Sequence, residues 1–274
     1  MQFSKWHGLG NDFVIVNTFE EPVYNERELA KAICDRHFGV GADGLVLIAP
    51  SDTADFQMRI INSDGTYAEM CGNATRCVAQ YIHKHRMLDS DVIRLETLSG
   101  VIRPRILPDN DGLVEVNMGK ACLLRGEIPM QGNAEETAIN VNLDINGYHW
   151  QGTGVSMGNP HFVIFVDSIA QIELEEWGPR IERNVMFPRK TNVEFVERLS
   201  ATKVRMRVWE RGCGVTMACG TGSCAACVAG VLTRRTNRSV TVVLDGGELQ
   251  IRYEEDGTVY MTGPAAEVFN GVWS

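Results

Sequence analysis

At 274 residues the chain is long enough for a large core and near the size at which one core divides into two. Its 44% hydrophobic and 22% charged content is ordinary for a globular protein, and the net charge of -9 disfavours nucleic acid as the main partner. No apolar run approaches the roughly 18 residues of a membrane span, and the opening "MQFSKWHGLGNDFVIV" lacks a cleavable signal pattern, so a cytoplasmic protein off the membrane is expected.

In chain order, "FVIVN" reads as a strand and "NERELAKAICDRH" (25–37) as an amphipathic helix. "LVLIA" and the alternating "DFQMRI" read as strands, the second with one buried face. After Cys71, the residues Ala74, Cys77, Val78, Tyr81 and Ile82 recur at helical spacing and predict a helix. "VIRLET", "HFVIFV", "KVRMRV" and "VTVVLD" add strands, with turns at "SDG", "DNDG", "LDGG" and "EEDG". After Cys219, "SCAACVAGVL" is small and apolar nearly all round, which predicts a wholly buried helix wrapped by strands.

Sliding the chain against itself by 148 residues superimposes four stretches. Gly10-Asn11 falls on Gly158-Asn159, Gly44 on Asn192, "QMRII" (57–61) on "RMRVW" (205–209), and Cys71-Gly72 on Cys219-Gly220. Two related halves of domain size follow, not a short-period solenoid. The expected fold is α/β of the α+β type, with two pseudo-symmetric domains. Each would be a mostly antiparallel sheet curled around a central helix.

The eight cysteines read as reduced thiols in a cytoplasmic protein. Cys34, Cys77, Cys122 and Cys213 are expected to fill space, and "CAAC" (224–227) lies inside a helical run with no second pair at zinc spacing. Cys71 and Cys219 differ, because each begins a helix. Unpaired amides there carry the positive end of the helix dipole, which favours a thiolate and offers an anion site. The glycine that follows lets a ligand approach the backbone. Two such starts facing one carboxylate would suit a racemase, one thiolate removing an α-hydrogen and the opposite thiol returning a proton to the other face.

"HGLGNDF", "NSDGTYAEMCGN", "VSMGNPH", "TNVEF" and "ERGCGVTMACGTG" resemble the signatures of the diaminopimelate epimerase family, in that family's order and over essentially the whole chain. The resemblance implies pyridoxal-independent conversion of LL- to meso-diaminopimelate, for lysine and peptidoglycan, with no cofactor and no metal. It implies Cys71 and Cys219 as the acid/base pair, supported by His161 and Glu210. It further implies Asn11, Asn62, Asn159, Asn192 and Arg211 as substrate contacts, with Gly72, Asn73, Gly220 and Thr221 offering helix-start groups to the reacting carboxylate. Ala74 replaces the family's usual glycine and Val215 its usual glutamate, which leaves room for a racemase of another amino acid such as histidine or proline. An amino-acid-binding protein without turnover is the competing class. The resemblance places the last residues back in the first domain, giving 1–118 plus 264–274 and 119–263, and carries an expectation of a homodimer.

Overall fold

The computed structural model describes residues 1–108 and 112–274, so the turn expected at "DNDG" lies, except for Gly112, outside the described residues. The chain divides into two compact units, Met1–Asn117 with Thr262–Ser274, and Met118–Met261. Each is a mixed α+β body.

The first unit holds strands β1 (Gln2–Gly8), β2 (Asn11–Asn17), β3 (Gly44–Ala49), β4 (Phe56–Asn62), β5 (Tyr67–Ala68), β6 (Leu95–Thr97), β7 (Gly100–Ile102) and β8 (Arg105–Leu107), with helices α1 (Glu26–Ile33) and α2 (Gly72–Lys84). Strand β9 (Leu113–Lys120) leads out of it. The second unit holds β10 (Val141–Ile145), β11 (Tyr148–Ser156), β12 (Pro160–Val166), β13 (Asn192–Arg198), β14 (Lys203–Glu210), β15 (Gly214–Thr216), β16 (Ser239–Leu244) and β17 (Gly247–Tyr253), with α3 (Leu174–Glu182) and α4 (Gly220–Leu232). Strand β18 (Thr258–Gly263) leads back, and β19 (Ala266–Val272) pairs antiparallel with β1.

The two units repeat one topology, residue for residue. Phe13 stands beside Gly44 in a parallel pair, and 148 residues on His161 stands beside Asn192. The antiparallel pairs Leu45–Ile61 and Ile60–Ala68 return as Val193–Trp209 and Val208–Thr216. Past the helices the register slips by one, so Leu95–Ile102 matches Val242–Leu249. The sequence repeat is therefore a repeat of hydrogen-bond ladders.

The central helices are the cores of these curls. α4 packs against β11, β12, β13, β14, β16 and β17, and its residues from Gly222 to Gly230 are all buried. Only small side chains fit a helix enclosed on so many sides, which explains the Ala, Gly and Cys composition. α2 meets β1, β2, β8 and β19 and keeps a polar end, with Lys84 reaching Glu267.

One helix departs from the sequence expectation and another lies where the sequence reading placed none. α1 stops at Ile33, short of His37, because the Asp35 carboxylate accepts from the His37 and Phe38 amides and the chain folds back so that Val40 and Gly41 donate to the Ile33 carbonyl. α3 forms although it contains Gly178-Pro179, a pair that reads as a helix breaker. Leu174, Trp177 and Ile181 bury one face of it against Phe162, Val193 and Phe195. At Gly178 a Cβ would lie 2.5 Å from the Trp209 ring, so the glycine is what lets this helix lie flat on β14.

This packing predicts an asymmetry between helices. Ala229→Leu, inside the closed curl around α4, is expected to cost about 1–3 kcal/mol by overpacking. Ala32→Leu, on the exposed side of α1, should stay within about 0.5 kcal/mol of the parent. Urea midpoints of the two variants check this.

Candidate active site

Cys71 is the N-cap of α2, with extended backbone (φ -143°, ψ 115°). Its carbonyl accepts from the Thr75 amide at 2.9 Å and from the Thr75 hydroxyl at 2.9 Å, which fixes the cap. The thiol donates to Asn11 Oδ1 at 3.7 Å, and Asn73 Nδ2 donates to the same oxygen at 3.1 Å. Arg76, wholly buried, holds Asn73 Oδ1 at 2.8 Å and also donates to the Gly72 carbonyl.

Behind Asn11 stands a charged clamp. Asn11 Nδ2 donates to Asp43 at 2.7 Å, and Arg36 bridges Asp43 and Asp12, each at 2.8 Å. Lys5 completes it with a 2.6 Å bond to Asp12. Burial pushes the Asp12 carboxyl up, but the Arg36 and Lys5 bonds outweigh it and bring its pKa down to about 2. Asn62 stands apart from this group: its amide donates to Thr66 Oγ1 at 3.0 Å within the β4–β5 turn.

The second unit repeats the frame. Cys219 is the N-cap of α4 (φ -128°, ψ 110°), and its carbonyl accepts from the Ser223 amide at 2.9 Å and hydroxyl at 2.8 Å. Here the sulphur itself accepts, from the Gly222 amide at 3.4 Å. Asn159 Nδ2 donates to Thr221 Oγ1 at 3.3 Å, the counterpart of the Asn73–Asn11 contact. Asn192 donates to the Pro160 carbonyl at 2.8 Å and accepts from the Arg211 amide at 2.8 Å, so it tethers the turn that carries Arg211. The Arg211 guanidinium lies exposed, donating to the Arg189 carbonyl at 3.2 Å.

The second half adds three ionisable groups at strand positions where the first has none. His161 is fully buried between Glu194 (Nδ1 to Oε1, 2.6 Å) and Asn159 (Nε2 to Oδ1, 3.0 Å). Glu210 takes the Thr216 hydroxyl and lies beside the Cys219 thiol. Burial raises the Glu210 pKa, against the Thr216 bond and the neighbouring imidazole. The repeat counterparts of His161, Glu194 and Glu210 are Phe13, Val46 and Asn62, none of them ionisable.

One expectation needs correcting. The helix start does not bring Cys219 down: burial pushes its pKa well above the ordinary thiol value, and Glu210 and Glu194 push it further. The Thr221 and Gly222 bonds oppose this without overcoming it. A dipole's favourable field is weaker than the loss of water around a sulphur that is only 5% exposed.

Glu194 was not among the candidates from sequence, though an acid inside the apolar "NVEFV" is a signal that a buried partner must exist. Cys34, Cys77 and Cys227 are packing thiols, each pushed up to about 12 by burial. Cys122 is half-buried, and Cys213 is exposed in the β14–β15 turn, so it fills no space. Ala74 is the third residue of α2, helical and buried, so the missing glycine requires no loop shift. Val215 lies exposed on β15, paired with Trp209.

The diaminopimelate epimerase family model matches residues 3–124 and 153–268. A diaminopimelate epimerase of Carboxydothermus hydrogenoformans is 54% identical, covering 99% of this chain and 98% of that protein. One from Pelotomaculum thermopropionicum is 53% identical with the same coverage. Among solved structures, a phenazine biosynthesis protein of the PhzF family from Bacillus anthracis covers 99% of this chain and 98% of its own, with a TM-score of 0.72 at 14% identity. A hydroxyproline epimerase from Agrobacterium vitis covers 99% of this chain and 91% of its own, with a TM-score of 0.68 at 14% identity. Those two likenesses concern the fold alone. The sequence matches run nearly the length of the chain and span the positions of both cysteines, so this chain belongs to the diaminopimelate epimerase family.

Proposed function

We propose that this chain is a pyridoxal-independent diaminopimelate epimerase that interconverts the LL and meso forms, with Cys71 and Cys219 as its acid/base pair. The observation that carries this is the matched construction of the two half-sites. Each sets a cysteine at the N-cap of a largely buried helix whose second residue, Asn73 or Thr221, bonds the equivalent asparagine, Asn11 or Asn159, in a chain about half identical to named epimerases.

In this reading one thiolate takes the α-proton and the opposite thiol donates its own to the other face, so the substrate is inverted and one proton has crossed. The first turns of α2 and α4, at Gly72, Asn73, Gly220 and Thr221, stabilise charge developing on the reacting carboxylate. Glu210, whose pKa burial raises, exchanges a proton with Cys219, and His161 supports it. Asn11, Asn62, Asn159 and Asn192 contact the substrate, and Arg211 grips its distal carboxylate bidentately. The two units act as the two domains read from the sequence, 1–118 plus 264–274 and 119–263. A cytoplasmic address fits thiols that must stay reduced, and a homodimer belongs to the same proposal.

The direct test is LL-diaminopimelate with purified protein in D₂O and no added cofactor. Deuterium at the α-carbon with meso product supports the reading. Binding without exchange would turn it towards a non-catalytic binder, and exchange only with other amino acids towards a different racemase.

Three variant and pH outcomes follow. Cys71→Ala and Cys219→Ala should each lower epimerisation by at least about 10³-fold with circular dichroism unchanged, and full activity in both would exclude the thiol pair. Arg211→Met should lower kcat/KM for diaminopimelate by about 10–100-fold, the loss of a charged hydrogen-bonded grip. Because the Cys219 pKa is raised, its thiolate fraction at neutral pH is small. Iodoacetamide should therefore label it more slowly than free cysteine at about pH 7.5, with a rate still climbing above about pH 9, read by mass spectrometry of its peptide.

A further inference from the structure

We propose that Glu194 is a positioning residue of the Cys219 half-site, acting through a hydrogen-bonded relay of His161, Asn159 and Thr221 that aims a hydroxyl hydrogen at the Cys219 sulphur. The inference rests on Cys219 being a reacting thiol.

The relay is continuous. Glu194 Oε1 lies 2.6 Å from His161 Nδ1, His161 Nε2 lies 3.0 Å from Asn159 Oδ1, Asn159 Nδ2 lies 3.3 Å from Thr221 Oγ1, and Thr221 Oγ1 lies 3.6 Å from Cys219 Sγ. Its direction follows from the chemistry of each group. An amide oxygen cannot donate, so His161 Nε2 carries a hydrogen and gives it to Asn159. The Asn159 amide then donates to the Thr221 oxygen, which leaves the Thr221 hydrogen for the sulphur. With the Gly222 amide at 3.4 Å, two donors converge on a Cys219 thiolate.

Glu194 is what fixes the far end. Two lone pairs cannot face each other at 2.6 Å, so a hydrogen lies between Nδ1 and Oε1. Its other oxygen, Oε2, is buried with no hydrogen-bond partner among the described residues, a costly place for full negative charge. A proton shared with the imidazole lessens that cost. Strand alternation puts Asn192, Glu194 and Val196 on the face of β13 opposite Val193 and Phe195, which pack against α3. On the first turn of α4, Gly222 leaves the room. A Cβ there would lie 2.8 Å from Glu194 Oε1 and 3.2 Å from the Cys219 sulphur. The charged groups that act on Cys219 are Glu210 from β14 and Glu194 from β13, and His161 from β12 bonds Glu194 and lies near Glu210.

Positioning and simple charge make opposite predictions. As a nearby negative charge alone, Glu194 disfavours the Cys219 thiolate, and removing it would speed alkylation. As the anchor of the relay it fixes the donors that receive the thiolate, and removing it slows alkylation.

The test follows iodoacetamide labelling of Cys219 against pH in the full chain, by mass spectrometry of its peptide. Glu194→Met should slow labelling about tenfold between about pH 7 and 9, equivalent to one unit of pKa, and lower kcat with KM little changed. Glu194→Gln, whose amide can still donate to Nδ1, should stay within about threefold of the parent. Thr221→Val cuts the last link with the Glu194–His161 pair intact and should match Glu194→Met in labelling. Faster labelling in both Glu194 variants, or no change in Glu194→Met and Thr221→Val, overturns the proposal. If Glu194→Met does not fold, the contrast between Glu194→Gln and Thr221→Val decides it. Labelling does not depend on turnover, so failure of the epimerase reading and failure of the relay are separately visible.

Discussion

A helix whose start is half-buried, as at Cys71, Gly220 and Thr221, has little water for its first amide hydrogens. That constraint shapes both central helices of this chain. Each start recruits the hydroxyl of the fourth residue onward, Thr75 or Ser223, to brace the cap carbonyl, and each places a sulphur where a serine or aspartate cap would ordinarily stand. The remaining amides then form a fixed positive terminus. Strand register, small residues in α4 and the buried Arg76 of α2 all serve to keep that terminus in place.

The two halves share this frame and diverge in what surrounds it. In the first, the asparagine next to the thiol is held by a charged clamp of Asp12, Asp43, Arg36 and the buried Lys5. In the second, the positions of Phe13, Val46 and Asn62 carry His161, Glu194 and Glu210, near a nearly inaccessible thiol. The repeat supplies the geometry twice, and each copy surrounds it with different charges. A pair of thiols that must alternate as acid and base need not be supported in the same way.

Much of this was legible in the sequence, because the repeat constrained it. A 148-residue offset read from a few identical residues is the register that the hydrogen-bond ladders keep. The composition of "SCAACVAGVL" led directly to an enclosed helix, and the paired Cys-Gly starts to two caps. What stayed hidden depended on tertiary cover. Alternation along "NVEFV" marks Glu194 as lying opposite the apolar face, and only the packing of α4 makes that face interior. α3 was hidden because its Gly-Pro pair contradicts helix propensity until Trp209 supplies the surface it lies on. The hairpin between β10 and β11 turns on Asn146-Gly147, both at positive φ (52° and 84°), a local signal that composition alone passes over. The raised Cys219 thiol was illegible for the same reason as Glu194, since desolvation is a property of the finished fold.

The second unit is one continuous length of chain, whereas the first is closed by β19, which follows the whole second unit in the sequence. The amine of Met1 donates to the Trp273 carbonyl and the Trp273 amide to the Met1 carbonyl, both at 2.8 Å, so the β1–β19 pairing is extended beyond the two strands. During synthesis the second unit has all its residues while the edge of β1 still waits for its partner. Synthesis thus makes every residue of the half with the buried acids available before β19, the strand that covers the edge of the Cys71 half.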